Sequence, residues 1–321
     1  MIHSVTVRAP ARLHLGFLDM NGGLGRRFGS LGLAIDAYET RITARCAAEM
    51  SVRGLEPERV RHLLGQLSSV VGSRSFAISI ESAIPAHTGL GSGTQLALTL
   101  AAALHHLSGR AADVSEYALL TGRGARSGAG IGLFTTGGFV VDGGHRQMTA
   151  VPPVIARAVF PEAWRVILIS DPAERGISGT EEVNAFAALP RFPESAAGDI
   201  CRRVLLQILP GLAERDFESF GAGISAIQTI VGDYFAPMQG GSRFKSPAVA
   251  ALLHDLAAAG ARGIGQTSWG PTGFAFVPNA AAAKELVAAA SPKAAEMQLH
   301  MKICKALNRG AMIEENTMGC A

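Results

Sequence analysis

Residues 85–104, PAHTGLGSGTQLALTLAAAL, constrain this chain more than any other stretch. A turn with glycine at 89, 91 and 93 runs directly into an apolar helix rich in alanine and leucine. Glycine admits positive φ and close backbone approach, so the N–H groups of the turn can converge on an anion. Ser92 and Thr94 are expected to cap the helix, whose positive end adds to the attraction for negative charge. Upstream, residues 76–84 alternate apolar and polar side chains as a strand does. The local order is therefore strand, phosphate-type loop, helix, with His87, Leu90 and Gln95 in or beside the loop.

Composition narrows what such a loop can serve. With 321 residues, 48% of them hydrophobic and 17% charged, the chain has material for two domains and a packed core. No apolar run reaches membrane-spanning length, and the N-terminus lacks the layout of a signal peptide. A cytoplasmic protein without a membrane partner is expected. A net charge of +3 is too small and too evenly spread for a nucleic-acid binder. All five lysines, Lys245, Lys284, Lys293, Lys302 and Lys305, lie in the last quarter of the chain. Arginine must therefore make the cationic contacts in the N-terminal motifs, where its planar fork suits phosphate. The four cysteines form no CxxC pair, against both a disulfide framework and a zinc cluster. Cys46 and Cys201 are expected as small core residues, and Cys320 as a tail thiol.

The rest of the chain supplies a scaffold and two further glycine motifs. Strand-like alternation at 4–9 is interrupted by Pro10 and resumes at 12–16, ahead of an expected loop at 19–32 holding five glycines, Arg26 and Arg27. Residues 57–71 read as a helix with Val60, Leu63, Leu64, Leu67 and Val70 on one face. Asp113 with Glu116 has capping-box spacing. Residues 122–144 set Arg123 and Arg126 among glycines and end in a strand closed by Asp142. Pro152 and Pro153 mark a connection, and the buried-type strand at 164–170 opens the second domain, giving expected domains 1–163 and 164–321. Helices are expected near 200–209, 214–230, 247–259 and 280–290, and residues 263–277 read as loop then strand.

Three of these segments, residues 9–16 (APARLHLG), 85–95 and 263–273, resemble in sequence and order the motifs of the small-molecule kinase superfamily named for galactokinase, homoserine kinase, mevalonate kinase and phosphomevalonate kinase (GHMP kinases). The resemblance implies an α+β, two-domain GHMP-kinase-like fold. Its N-terminal mixed α/β domain carries the phosphate loop, its C-terminal domain is ferredoxin-like, and the ligand lies at their junction. Departures from the kinases narrow the branch. Their loops commonly read GLGSSA, with the second serine a magnesium ligand, whereas this chain has Gly93 there, and Arg12 stands where many have lysine. RLHLGFLDMNG, HTGLGSGTQLA, GRGARSGAGIGLFTTGGFVVDGG and GQTSWGPTGFAFV together are similar to the β-ribofuranosylaminobenzene 5'-phosphate synthases of tetrahydromethanopterin synthesis. That likeness implies condensation of 5-phosphoribosyl 1-pyrophosphate with 4-aminobenzoate or 4-hydroxybenzoate and release of carbon dioxide and pyrophosphate. It also implies magnesium, no organic cofactor, small-molecule partners only, and a homodimer. The alternatives are an ATP-dependent kinase of the same superfamily and an inert ligand-binding relative.

The chemistry assigns expected roles. Gly89, Leu90, Gly91, Ser92, Gly93, Thr94 and Gln95 surround pyrophosphate, with His87 beside them and Arg26, Arg27, Arg123 or Arg126 as cationic clamp. Asp19 and Ser92 are the expected metal ligands. Asp142 holds the metal or the ribose, or only a tight Asp-Gly turn. Arg12, His14, Asp19 and Asp142 form the expected catalytic set, and Gln266, Ser268 and Trp269 the expected contacts to the aromatic acid. Orientation of two bound reactants is the main catalytic device expected, since no nucleophilic side chain is required.

Overall fold

The computed structural model describes residues 2–110, 113–146, 151–177 and 179–317. Six strands come first in the chain: β1 (Ile2–Asp19), β2 (Phe28–Ala47), β3 (Ser51–Gly54), β4 (Ser75–Ser82), β5 (Phe139–Asp142) and β6 (Val154–Ala158). Val5, Val7, Ala9, Ala11, Leu13 and Leu15 of β1 are all fully buried, the period-two pattern of a strand with one face on a core. β1 and β2 form a long antiparallel hairpin; β4 and β5 both pair with β2, β3 runs parallel to β4, and β6 edges β5. Five helices accompany this sheet: α1 (Pro57–Gln66), α2 (Ser68–Val71), α3 (Ser92–Leu107), α4 (Val114–Leu120) and α5 (Ala129–Thr136). Every residue of α3 from Gln95 to His105 is buried, which makes it the central helix of this half.

The second sheet contains β7 (Arg165–Ser170), β8 (Arg262–Gln266), β9 (Gly273–Val277) and β10 (His300–Cys304) in the order β10-β7-β9-β8, with every pair antiparallel. Between and after these strands lie α6 (Thr180–Ala188), α7 (Glu194–Arg203), a π-helical turn (Val204–Ile208), α8 (Leu209–Glu214), α9 (Phe217–Phe235), α10 (Pro247–Ala258) and α11 (Ala280–Glu296). That order and connectivity are the ferredoxin-like arrangement. The two halves share one core: Leu13, Leu15, Phe17, Leu31 and Leu33 of the hairpin pack in one cluster with Phe220, Ile224 and Ile227 of α9 and Phe274 and Phe276 of β9. Phe160 sits at its centre, within 5.4–5.8 Å of the rings of Trp164, Phe220 and Phe276.

Four expectations are corrected. Pro10 does not break β1; it stays in the strand opposite Glu39, and the ladder absorbs its missing N–H with a register shift between Pro10 and Ala11. The loop expected to reach residue 32 ends at Phe28, where β2 begins. The strand β11 (Met312–Thr317) pairs antiparallel with β1, so these residues return to the first sheet and are not part of the second. Cys46 is exposed and Cys201 half-buried; Cys304 is the buried thiol, and Cys320 lies outside the described residues. The Asp113 cap forms as the spacing predicts, its carboxylate accepting the Glu116 N–H at 2.9 Å.

Candidate active site

The glycine turn is shaped by what presses on it. Gly89 has φ +81°, and a Cβ there would lie 2.2 Å from the Thr267 carbonyl oxygen. Gly91 has φ +84°, and a Cβ there would meet Arg12 Cγ at 2.6 Å. Both positions need glycine for conformation and for space. Gly91 is the N-cap of α3, and its carbonyl accepts the first helical bond, from Gln95 N–H at 3.1 Å. The expectation that Ser92 and Thr94 cap the helix is therefore corrected: both lie within the first turn, and no side chain caps α3. The N–H groups of Ser92, Gly93 and Thr94 are left without intrahelical acceptors, at the positive end of a sixteen-residue helix.

Three arginines gather at this turn. Arg12, half-buried on β1, takes the Leu90 carbonyl with its backbone N–H at 3.0 Å and donates Nη1 to the Gly89 carbonyl at 3.1 Å. Burial lowers its pKa to about 10, partly offset by the negative charge of Glu182, so it remains a cation at neutral pH. Arg123 Nη1 and Arg59 Nη2 lie 3.2 and 3.6 Å from the point a Cβ on Gly93 would occupy. The Arg123 pKa is held below its ordinary value by burial first and by the neighbouring Arg59 charge second. Arg59, on α1, is paired with Glu56 at 2.9 Å. At the rim, His87 contacts Arg175 Nη2 through Nε2 at 2.6 Å, and burial followed by the charges of Arg175 and Arg59 lowers its pKa.

A buried relay ties the three glycine motifs together. The His14 N–H donates to Thr267 Oγ1 at 2.9 Å, and the Thr267 hydroxyl donates to the Gly89 carbonyl at 2.9 Å. Thr267 is fully buried. Among the described residues His14 Nε2 has no hydrogen-bond partner, and the ring opens on a cavity of about 20 Å³ that Phe17, Gln228, Gln239 and Ser268 also line. Burial, then the Arg12 charge, holds the His14 pKa well below its ordinary value, so the ring is neutral at physiological pH.

Several expected site residues are occupied elsewhere. Asp142 is fully buried; its carboxylate accepts from the Ser30 hydroxyl and from the N–H groups of Gly128 and Gly144, both at 2.9 Å. It braces the start of α5 and its own turn, the structural alternative among the roles expected of it. Burial raises its pKa against the pull of those hydrogen bonds. Asp19 Oδ1 accepts the N–H of Asn21 at 2.6 Å, and seven residues of strand, a path of up to roughly 23 Å, separate it from Arg12. Arg26 donates to the carbonyls of Gly143 and Gly144, and Arg27 donates to that of Met20, closing the hairpin loop and leaving neither as a clamp on the turn. Arg126 is paired with Glu182. Gln95 is fully buried and donates to the Gly130 carbonyl at 3.0 Å. Gln266 bonds to Lys245, Gln239 and Ser268, and Trp269 stacks on Phe235 at 4.1 Å, so both are internal. Ser268, with φ +56°, is half-buried on the cavity beside His14.

Arg59, Arg175, Glu182 and Thr267 are the residues that sequence reasoning missed. Thr267 carried a signal, since it sits inside the third glycine motif; Arg59 and Glu182 look like ordinary polar faces of amphipathic helices. The oxygen groups that suit a magnesium ion are the hydroxyls of Ser92 and Thr94 in the turn and the carboxylate of Glu182, whose charge acts on Arg12 and which pairs with Arg126. Among the described residues no group of three or more His, Cys, Asp and Glu forms a metal cluster. An oxygen-only, sparse set fits magnesium, which keeps several waters and takes the remaining ligands from bound phosphate.

Comparison with known proteins gives the family and the fold. Residues 56–138 match the GHMP kinases N terminal domain, and residues 208–295 match GHMP kinases C terminal. A β-ribofuranosylphenol 5'-phosphate synthase of Archaeoglobus fulgidus is 32% identical over 322 residues, covering 96% of this chain and 99% of its own. A protein of the same name from Methanothermobacter thermautotrophicus is 31% identical over 84% of this chain and 88% of its own. This chain belongs to the β-ribofuranosylphenol 5'-phosphate synthase family. The family shares its fold with solved kinases and decarboxylases. Homoserine kinase from Cytophaga hutchinsonii superposes with TM-score 0.68 at 18% identity over 98% of both chains. Mevalonate diphosphate decarboxylase from Staphylococcus aureus superposes with TM-score 0.69 at 14% identity over 98% of this chain and 99% of that one. As a member of a synthase family the chain is an enzyme, and among its described residues no helix is long and apolar enough to cross a membrane.

Proposed function

We propose that this enzyme condenses 5-phosphoribosyl 1-pyrophosphate with a 4-substituted benzoate, releasing pyrophosphate and carbon dioxide and forming a carbon-linked β-ribofuranosyl arene 5'-phosphate for tetrahydromethanopterin synthesis. The observation that carries this reading is the cradle of Arg12, Arg59 and Arg123 around the open N–H groups of Ser92, Gly93 and Thr94. Fixed donors of this kind are aimed at charge that develops on a departing pyrophosphate, where preorganisation is worth most. The archaeal relatives are named for a ribofuranosylphenol product, and a phenol ring is what 4-hydroxybenzoate leaves after losing carbon dioxide. That favours 4-hydroxybenzoate over 4-aminobenzoate.

The atoms balance without a nucleophilic side chain. The bond from the anomeric carbon to pyrophosphate breaks, and its electron pair leaves with the pyrophosphate. The ring carbon bearing the carboxylate forms the new bond to the anomeric carbon, the para oxygen or nitrogen stabilising the ring cation. The bond to the carboxylate carbon then breaks, and its electrons restore the aromatic ring as carbon dioxide departs. Attack opposite the leaving group turns an α-pyrophosphate into a β product. Arg12 and the turn hold the leaving group in place, while neutral His14, next but one along β1, offers a hydrogen-bonding nitrogen without adding charge. Ser92 and Glu182 would hold magnesium, whose contribution when bound is to neutralise the leaving pyrophosphate.

Release of label from carboxyl-labelled 4-hydroxybenzoate, with phosphoribosyl pyrophosphate and magnesium present, tests the reading. Release is expected only with both substrates, and Arg12→Lys, which keeps the charge and loses the fork, is expected to slow it. Absence of release, with ADP formed from ATP and an alcohol acceptor, would overturn the reading in favour of a kinase.

A further inference from the structure

We infer that Arg59 and Arg123, converging over Gly93, form a pyrophosphate clamp that works without a divalent cation. The inference deepens the proposed reaction and rests on it for the identity of the leaving group. Arg59 reaches the turn from α1, and Arg123 from the segment that follows α4, so the two guanidiniums arrive from separate elements. Their Nη2 and Nη1 atoms come within 3.6 and 3.2 Å of the Cβ position of Gly93, over the turn whose N–H groups lack intrahelical acceptors. Glycine at 93 is what leaves them that room.

The charge pattern points to an anion. Two like-charged groups packed at one residue repel, and their convergence costs stability unless something negative lies between them. Arg59 has Glu56 as partner, at 2.9 Å. Among the described residues Arg123 makes no ion pair, and its Nε is buried without a hydrogen-bond partner. The buried surroundings and the adjacent Arg59 charge both press on the Arg123 cation, as its lowered pKa records. Glu56 itself is held at φ +54°, an uncommon conformation for a residue with a side chain, at the head of α1. Arg59 Nη1 pairs with Glu56, and its Nη2 is the atom nearer the Gly93 position. Two planar forks and three backbone donors match the oxygen-rich faces of a pyrophosphate and supply as fixed protein charge part of what a cation would otherwise bring.

Calorimetric titration of the full chain with inorganic pyrophosphate, once in chelator and once with magnesium, tests this directly. The wild type is expected to bind in chelator with affinity within about tenfold of that in magnesium. Arg123→Gln and Arg59→Gln are each expected to weaken metal-free binding on the order of ten- to hundredfold, the usual loss for a charge-assisted hydrogen bond. Arg123→Lys is expected to fall between wild type and Arg123→Gln, and the thermal midpoint of each variant checks that it is folded. Loss of wild-type binding in chelator, or glutamine variants that bind as the wild type does, would overturn the clamp. The result also separates the two proposals: a working clamp in a chain that releases no carbon dioxide leaves the clamp standing and removes the condensation, whereas release of carbon dioxide with binding indifferent to both arginines does the reverse.

Discussion

Replacing Thr267 with valine removes one oxygen and keeps the shape of the side chain. That oxygen accepts the buried His14 N–H at 2.9 Å and donates to the Gly89 carbonyl at 2.9 Å. The two ends lose unequally. Gly89 keeps the Arg12 Nη1 donor at 3.1 Å, so it loses one of two bonds, worth about 0.5–1.5 kcal/mol. The His14 N–H is left buried without an acceptor, which costs about 1–3 kcal/mol. Thr267→Val is therefore expected to destabilise by about 1.5–4.5 kcal/mol, read from the urea midpoint at unchanged slope by tryptophan fluorescence. Thr267→Ser keeps the hydroxyl and is expected to lose only about 1 kcal/mol for the missing methyl. Because the lost bond anchors the glycine turn, pyrophosphate affinity should fall in Thr267→Val and hold in Thr267→Ser. A valine variant within about 0.5 kcal/mol of wild type, a surface-like effect, would refute the claim that this hydroxyl joins the motifs.

Two further perturbations probe the buried polar groups. His14 has a folded pKa below its ordinary value, so it contributes stability that is fully present above pH 6.5 and is lost as pH falls toward the folded value. Between about pH 7.5 and pH 5, His14→Gln should lose less stability in urea titrations than the wild type, by at most about 1.4 kcal/mol per pH unit. Equal losses in the two proteins would show that the ring is not held neutral. Asp142→Asn turns an NH2 group toward donors that need an acceptor, so it should destabilise by about 1–3 kcal/mol with pyrophosphate affinity unchanged. A fall in affinity without a fall in stability would return Asp142 to the site.

What the sequence by itself determined is local. Of the glycines at 89, 91 and 93 expected to admit positive φ, Gly89 and Gly91 adopt it while Gly93 lies in the first turn of α3; alternation in β1, the Asp113 cap and the start of α10 at Pro247 are likewise properties of a few neighbouring residues. The absence of lysine before residue 245 put arginine at the turn, and Arg12 and Arg123 are there. The directions of the remaining polar side chains were decided by tertiary structure. Asp142 spends its carboxylate on Ser30, 112 residues away, and Thr267 reaches Gly89 across 178 residues. Arg59 sits on an amphipathic helix, where nothing local separates a solvated arginine from one aimed at a phosphate turn; only the packing of α1 beside α3 does. The strand through Pro10 and the return of β11 to β1 have the same origin. A ladder partner supplied by distant chain outweighs a local preference, because hydrogen bonds and buried surface belong to the contact and not to either segment alone.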